Sequence, residues 1–281
     1  MISKNPMQFK ALIKQMAGRK NITSQLVMQN YMLERILERI SLSEYKSNFI
    51  LKGGLLISVM VGLDTRATMD LDTTVKGFTL TNESIQKIFS EICSINVEDN
   101  ITFEVGKVTD IRENDDYPGS RISIKANYPP ISVPLTIDVT TGDIITPSEI
   151  EFSFPLLFDN RTISILTYNL ETILAEKIET ILSRSIANTR IRDFYDIYIL
   201  YTLRETTCNM DILKRAIKRT SQKRGSEEIL PKYSEIMKEI RESKQLKLFW
   251  EKYQKEFSYA KQISFGEICE LIYEVVEKIM N

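Results

Sequence analysis

Asp70 and Asp72 stand two residues apart in the run Met69-Asp70-Leu71-Asp72-Thr73-Thr74-Val75, whose alternation of apolar and polar residues reads as a β-strand. On an extended strand alternate side chains share a face, so both carboxylates point the same way while Leu71 turns toward a core. Two like charges held together raise one pKa sharply unless a cation bridges them, so the pair invites a divalent metal such as Mg2+; the plainer alternative is a pair splayed in solvent. Upstream, residues 48–51 form a short apolar strand that ends at Lys52-Gly53-Gly54, and residues 55–61 read as a helix closed by Gly62. A glycine turn opening a helix lets backbone N–H groups approach a phosphate, and the helix N-terminus favours an anion. A glycine pair alone is an ordinary turn, and its place between this strand and the Asp-Leu-Asp strand is what gives it meaning. A third carboxylate, Asp138, lies in the alternating run Leu135-Thr136-Ile137-Asp138-Val139, opposite in facing to Leu135, Ile137 and Val139. Asp143, after Thr140-Thr141-Gly142, competes for that role, and either could cap a turn. Three acidic residues on neighbouring strands could hold two metal ions, one activating a hydroxyl and the other clamping a triphosphate.

The chain contains no histidine. That excludes Ser-His-Asp and Cys-His catalysis, HExxH sites and histidine-ligated zinc, and leaves carboxylate, lysine and hydroxyl chemistry. Cys93, Cys208 and Cys269 are far apart and include no CxxC pair, which argues against a disulfide framework or a zinc site. With 37 basic and 38 acidic side chains the formal charge is -1, so binding to nucleic acid would need a local patch. One candidate patch is Lys214, Arg215, Lys218, Arg219, Lys223 and Arg224, largely on one helical face; such runs are also common as solvated faces. The opening Met1-Ile2-Ser3-Lys4-Asn5-Pro6 leads into no apolar leader stretch, and no apolar run reaches the roughly 18 residues a bilayer span needs. The expectation is a protein of the reducing cytoplasm with no membrane partner.

These residues need a scaffold. The chain has 281 residues, 43% of them hydrophobic and 27% charged, an ordinary globular composition for which the length favours two domains. Residues 24–40 carry Leu26, Val27, Tyr31, Leu33, Ile36, Leu37 and Ile40 at helical spacing, and residues 81–93 place Ile85, Ile88, Phe89 and Ile92 on one helical face. Strands are expected at 69–75, 101–105, 121–126 and 135–139, with loops at 113–120 and Tyr128-Pro129-Pro130. Beyond Pro147 and Pro155 the character changes, and from 169 onward the sequence reads as helices near 170–185, 192–203, 211–222, 231–241, 246–257 and 264–280. The expected class is α+β, a mixed sheet flanked by helices and followed by a helical bundle. The expected domains are 1–165, with N-terminal helices, and 166–281, in which helices of 168–203 complete the active-site cleft and 207–281 form the bundle.

Leu51-Lys52-Gly53-Gly54, the Arg66-x-Thr68-x-Asp70-Leu71-Asp72 run and Ile137-Asp138 together resemble the DNA polymerase β type nucleotidyltransferase superfamily. Ala175-Glu176-Lys177 and Arg192-Asp193-Phe194-Tyr195-Asp196 narrow the resemblance to the AbiEii/AbiGii toxins of type IV toxin–antitoxin phage-defence systems. It covers residues 49–203, and each block is weak singly but specific in this order. The resemblance implies a nucleotidyltransferase fold, a growth-arresting toxin of abortive infection, Mg2+ dependence and a nucleoside triphosphate donor, GTP or CTP. It also implies a tRNA acceptor for some members and a cognate antitoxin from the same operon that need not touch the toxin. Asp70, Asp72 and Asp138 would hold metal, with Asp138 also placed to act as general base. Gly53, Gly54, Arg66 and Lys177 would bind the triphosphate, joined by Arg184, seven residues after Lys177 on nearly the same helical face. Asp193 and Asp196 would form a second acidic cluster, unless Asp196 simply pairs with Arg192 along one helix. Many superfamily members have Gly-Ser in the turn; Gly54 has no hydroxyl, so phosphate contact there must come from backbone N–H groups. The competing readings are the same chemistry on a protein or small molecule, and a non-enzymatic module that binds a nucleotide or partner.

Overall fold

Helix-forming stretches dominate both ends of the chain, with strands between them. The computed structural model describes residues 5–111 and 119–281. Its contacts divide the chain into two units, Met1–Asp143 with Ile150–Thr167, and Ile144–Glu149 with Tyr168–Asn281.

The first unit begins with α1 (Pro6–Lys20), which the sequence pattern did not predict. Only a narrow stripe, Phe9, Ile13 and Ala17, is buried on it, and Met7 and Leu12 are exposed among its polar residues. Asn5 caps it by accepting from the Met7 N–H at 2.9 Å. Helix α2 (Ser24–Leu42) follows and is buried along almost its whole length. Then come β1 (Phe49–Lys52), α3 (Gly53–Val61), β2 (Leu71–Val75), α4 (Asn82–Ser94), β3 (Thr102–Ile111), β4 (Gly119–Tyr128), β5 (Ile131–Thr141), β6 (Ile150–Pro155) and β7 (Thr162–Thr167).

All four expected strands form, three of them longer than their patterns, because hairpin pairing extends β3, β4 and β5 past the alternating cores. The expected loop at 113–120 falls largely outside the described residues, as do residues 1–4 of the chain start; Gly119 and Ser120 open β4 instead. Strands β6 and β7 are additions to the sequence reading. Ile150-Glu151-Phe152-Ser153-Phe154 does alternate, but Pro147 and Pro155 look like breaks. Pro155 is tolerated because β6 is the sheet edge.

The seven strands form one sheet in the order β3-β4-β5-β2-β1-β7-β6. Pairing is parallel between β2 and β5 and between β1 and β7, and antiparallel elsewhere, so the sheet is mixed. One face is apolar: Leu71, Ile137 and Ile122 align in register across β2, β5 and β4, and all three are fully buried. Helix α2 packs on β5 and β7, α4 on β3, and α3 on β1 and β2. Phe9 links α1 to this core through Tyr31 and Tyr128, at ring distances of 4.9 and 5.4 Å.

The second unit is helical apart from its connecting segment: α5 (Leu170–Arg184), α6 (Ile191–Arg204), α7 (Met210–Lys223), α8 (Tyr233–Glu242), α9 (Lys244–Glu256) and α10 (Phe265–Met280). Each matches an expected helix to within two residues at either end. Its core gathers Ile178, Leu182, Phe194, Ile197, Leu213, Ile217, Ile240, Trp250, Ile268, Ile272 and Val276. No helix among the described residues is long and apolar enough to cross a membrane.

Candidate active site

The register of the first unit brings four charges into one row. Lys52 on β1 is the cross-strand partner of Asp72 on β2; Asp72 is the partner of Asp138 on β5, and Asp138 of Arg121 on β4. These lie one residue along from Leu71, Ile137 and Ile122, so the period of two turns the charged row to the opposite face from the apolar one. Asp138 was legible as a third carboxylate by alternation; its alignment with Asp72 required the parallel pairing of strands more than 60 residues apart.

The turn that opens α3 packs directly on this row. Gly53 has φ +68, a left-handed conformation that suits glycine, and a Cβ there would meet the Asp72 carboxylate, 2.7 Å from its Cγ. At Gly54 a Cβ would lie 2.6 Å from the Thr68 hydroxyl and 3.3 Å from the Arg66 guanidinium. Two adjacent glycines are therefore dictated by close approach, and the Gly54 N–H faces an Asp72 carboxylate oxygen at 3.4 Å. Arg66 is buried and donates to the Ala67 carbonyl. Two buried amides on α2 hold the segment before β2: Asn30 donates to the Thr68 carbonyl at 2.7 Å, and Gln29 to the carbonyls of Met69 and Pro134 at 3.2 and 3.0 Å. The sequence reading overlooked both, although an amide pair inside an otherwise apolar helix face is a signal.

The three carboxylates differ. Asp70 is exposed and has no ion-pair or hydrogen-bond partner among the described residues. Burial pushes the Asp72 carboxyl above its usual range, and the Asp138 charge adds to this, against the opposing effects of Lys52 and the Gly54 N–H. Asp138 accepts two hydrogen bonds from Arg121, at 2.8 and 2.7 Å. Among the described residues no group of three or more Asp, Glu, Cys or His side chains is arranged to hold a metal ion, and both Asp138 carboxylate oxygens are engaged by Arg121. Asp143, the competitor for the third place, lies 13% exposed and is bound by Lys52, with the Thr140 hydroxyl at 2.7 Å. Its burial would raise its pKa, but the charge and hydrogen bond of Lys52 outweigh that and hold it at about 2. Lys52 also donates to Thr140 at 2.7 Å.

The donor chemistry suits Mg2+. Asp70 and Asp72 are hard oxygen ligands, and this ion is commonly held by one or two carboxylates together with substrate phosphates.

In the second unit Lys177 on α5 lies between two carboxylates of α6, 2.6 Å from Asp193 and 2.8 Å from Asp196. Burial opposes its charge, and the two aspartates outweigh burial, so its pKa is raised. Arg190 binds the other oxygen of Asp193 at 2.7 Å. Asp196 is therefore joined to Lys177, and Arg192 stands over the Phe257 ring at 5.5 Å, rather than the two forming a simple helix pair. Arg184, at the end of α5, is exposed.

A family model described as "Nucleotidyl transferase AbiEii toxin, Type IV TA system" matches residues 35–270. Two solved structures resemble the fold. The crystal structure of a proposed nucleotidyltransferase from H. pylori aligns with TM-score 0.51 and 16% identity over 92% of this chain and 99% of that one. The crystal structure of JHP933 from Helicobacter pylori aligns with TM-score 0.50 and 15% identity over 91% and 95%. At such identities the likeness speaks for the fold alone. Comparison with curated proteins yields no match.

Proposed function

The chain belongs to the AbiEii nucleotidyl transferase toxins of type IV toxin–antitoxin systems, and from that premise we propose that it transfers a nucleoside monophosphate from an NTP to an acceptor hydroxyl, in the cytoplasm, as a phage-defence toxin. The observation that carries this reading is the row Lys52–Asp72–Asp138–Arg121 beneath the Gly53–Gly54 turn, with Asp70 unpartnered at its edge.

In the proposed reaction the acceptor oxygen attacks the α-phosphorus, the bond from that phosphorus to the β-phosphate's bridging oxygen breaks, and pyrophosphate leaves. Asp138 takes the hydroxyl proton once Arg121 releases its carboxylate. Asp70 and Asp72, joined by Asp138 once Arg121 has released it, would hold Mg2+, which when bound supplies charge neutralisation for the triphosphate and its pyrophosphate product. The α3 N-terminus offers backbone N–H groups to the phosphates, and Gly53 and Gly54 keep that approach free of side chains. Arg66 is assigned to the triphosphate by the same resemblance. So is Lys177, joined by Arg184 seven residues later on nearly the same helical face, with Asp193 and Asp196 keeping the Lys177 ammonium charged; loss of NTP affinity in Lys177→Ala tests that assignment. An RNA 3′ hydroxyl, as on tRNA, is the acceptor this reading favours, with GTP or CTP as donor. A cognate antitoxin would counter the toxin without needing direct contact.

The test is incubation of the purified protein with each labelled NTP, Mg2+ and separate pools of total tRNA, protein and metabolites. Label on RNA that Asp70→Ala/Asp72→Ala fails to produce supports the reading and reveals the base. Label on protein or metabolites instead would change the acceptor. If no pool is labelled while NTP still binds, the non-enzymatic binding module replaces it.

A further inference from the structure

The cations of α7 take no part in the reaction proposed above. Leu213, Ala216, Ile217, Thr220 and Ser221 are the buried residues of this helix. Lys214, Arg215, Lys218 and Arg219 are exposed on its other side, as two pairs each separated by one turn, about 6 Å along the axis. Like charges four residues apart disfavour a helix. None of the four is ion-paired with an acidic side chain among the described residues; Arg219 alone has a polar neighbour, the Thr146 hydroxyl at 3.4 Å.

The acids that could have neutralised them are turned elsewhere. Glu171 on α5 accepts from the Asn209 N–H at 2.8 Å, Glu179 from Arg224 and from Ser226 at 2.7 Å, and Glu176 lies 3.6 Å from Arg224. Asp211, the one acidic residue of α7, sits in its first turn, where it complements the helix dipole. Arg224 is thereby a structural residue, and Lys223 is half-buried with a partner of its own, so the six cations of the sequence run reduce to four open ones. They form on a molecule of formal charge -1, so the patch is a local arrangement rather than a product of bulk composition. No large hydrophobic residue of α7 is exposed. A protein partner's anchor would use aromatic or apolar contacts, which this face lacks, whereas phosphate contacts need only cations.

We propose that the Lys214, Arg215, Lys218 and Arg219 face of α7 binds the phosphate backbone of the acceptor RNA, an inference that rests on reading the acceptor as RNA. The contact is independent of base sequence, so the RNA end to be modified is selected elsewhere.

The test measures binding of labelled total tRNA to the full chain by fluorescence anisotropy between 50 and 200 mM salt. Replacing all four cations by Gln should weaken binding at least tenfold at 100 mM and lower the log–log salt slope by about 3, as expected for roughly 0.7 to 0.9 per phosphate no longer neutralised. NTP affinity and the melting temperature should stay level, which keeps the loss distinct from unfolding. Lys10→Gln/Lys14→Gln, removing two equally exposed lysines of α1, should leave the Kd unchanged. Wild-type affinity and slope in the four-cation variant would overturn the proposal, as would wild-type protein that binds duplex DNA or phosphatidylserine vesicles but not tRNA. Transfer to RNA that persists alongside unchanged binding would sink the surface and spare the reaction. Binding that depends on α7 without any transfer would do the reverse, and Asp70→Ala/Asp72→Ala should bind tRNA like wild type.

Discussion

Two clusters of charge in the first unit are built on opposite principles. On α2, Arg35 lies between Glu34, at 2.6 Å, and Glu38; Arg39 grips both oxygens of Asp99 at 2.9 Å and also the Ile101 carbonyl at 3.0 Å; Arg161 adds a second cation to Glu38 at 2.9 Å. Glu34 further accepts the Leu157 N–H at 2.6 Å. Every carboxylate in that network is answered from within, with only the Nε atoms of Arg35 and Arg39 buried without an acceptor. Along the strand row, Asp70 is unpartnered among the described residues and Asp72 is offered an N–H only at 3.4 Å. A closed network fixes α2 against the sheet. An open one leaves free energy to be gained when a ligand arrives, and this contrast, more than acidity as such, separates a site from a structural cluster.

The largest effects should therefore fall on different properties in the two places. Asp72→Asn should reduce nucleotidyl transfer by roughly 10³-fold or more, since a lost metal ligand removes several kcal/mol of transition-state stabilisation. The same variant should be as stable as wild type or about 1 kcal/mol more so in urea unfolding, because it removes a buried charge repelled by Asp138. A clear loss of stability would mean the row is structural after all. Arg39→Met is the mirror image. It leaves Asp99 buried without its cation, which should cost about 3 to 5 kcal/mol in the same unfolding measurement.

Next in size is a pH effect on α2. Burial, chiefly, pushes Glu34 up to about 7 from 4.5, overriding the attraction of Arg35 and the Leu157 N–H. The folded state then holds the proton more tightly than the unfolded one, so this contribution to stability is fully present below about 4.5 and declines as pH rises to about 7. At about 1.36 kcal/mol per pKa unit the decline is at most about 3 kcal/mol. The difference in unfolding free energy between wild type and Glu34→Gln, followed from pH 4 to 8, should show that slope; a flat difference would mean that Glu34 stays ionised and the network is a true ion pair throughout.

How much of this was readable beforehand follows from how local each feature is. The Gly53–Gly54 turn and the six helices of the second unit are written in neighbouring residues, and both were legible. Helix α1 was not, because three buried residues, Phe9, Ile13 and Ala17, give too thin a stripe in a lysine-bearing stretch. The pairing of Lys52 with Asp143 joins residues 91 apart through strand register, and no local pattern announces it. Arg121 was invisible for the same reason: its partner Asp138 is set by a hairpin register, not by spacing along the chain. Likewise Lys177 meets Asp193 and Asp196 only because α5 packs on α6.

Arg121 gives the smallest expected change in stability and the sharpest probe of the comparison. Its side chain is 52% exposed, so its bond to Asp138 resembles a surface ion pair, worth less than about 1 kcal/mol after solvent screening. Arg121→Gln should therefore unfold at nearly the wild-type urea concentration. Its consequence should appear in catalysis, because the guanidinium holds both Asp138 oxygens, which in the proposed reaction take a proton and help to hold the cation. With that competitor gone, half-maximal transfer should require several-fold less Mg2+ than in wild type. A variant needing more Mg2+, with a raised KM for the NTP, would place Arg121 on the triphosphate in the reacting state. Either shift in the Mg2+ titration makes the row an open site with a movable cation; an unchanged titration alongside a loss of several kcal/mol in stability would make it a closed network like that of α2.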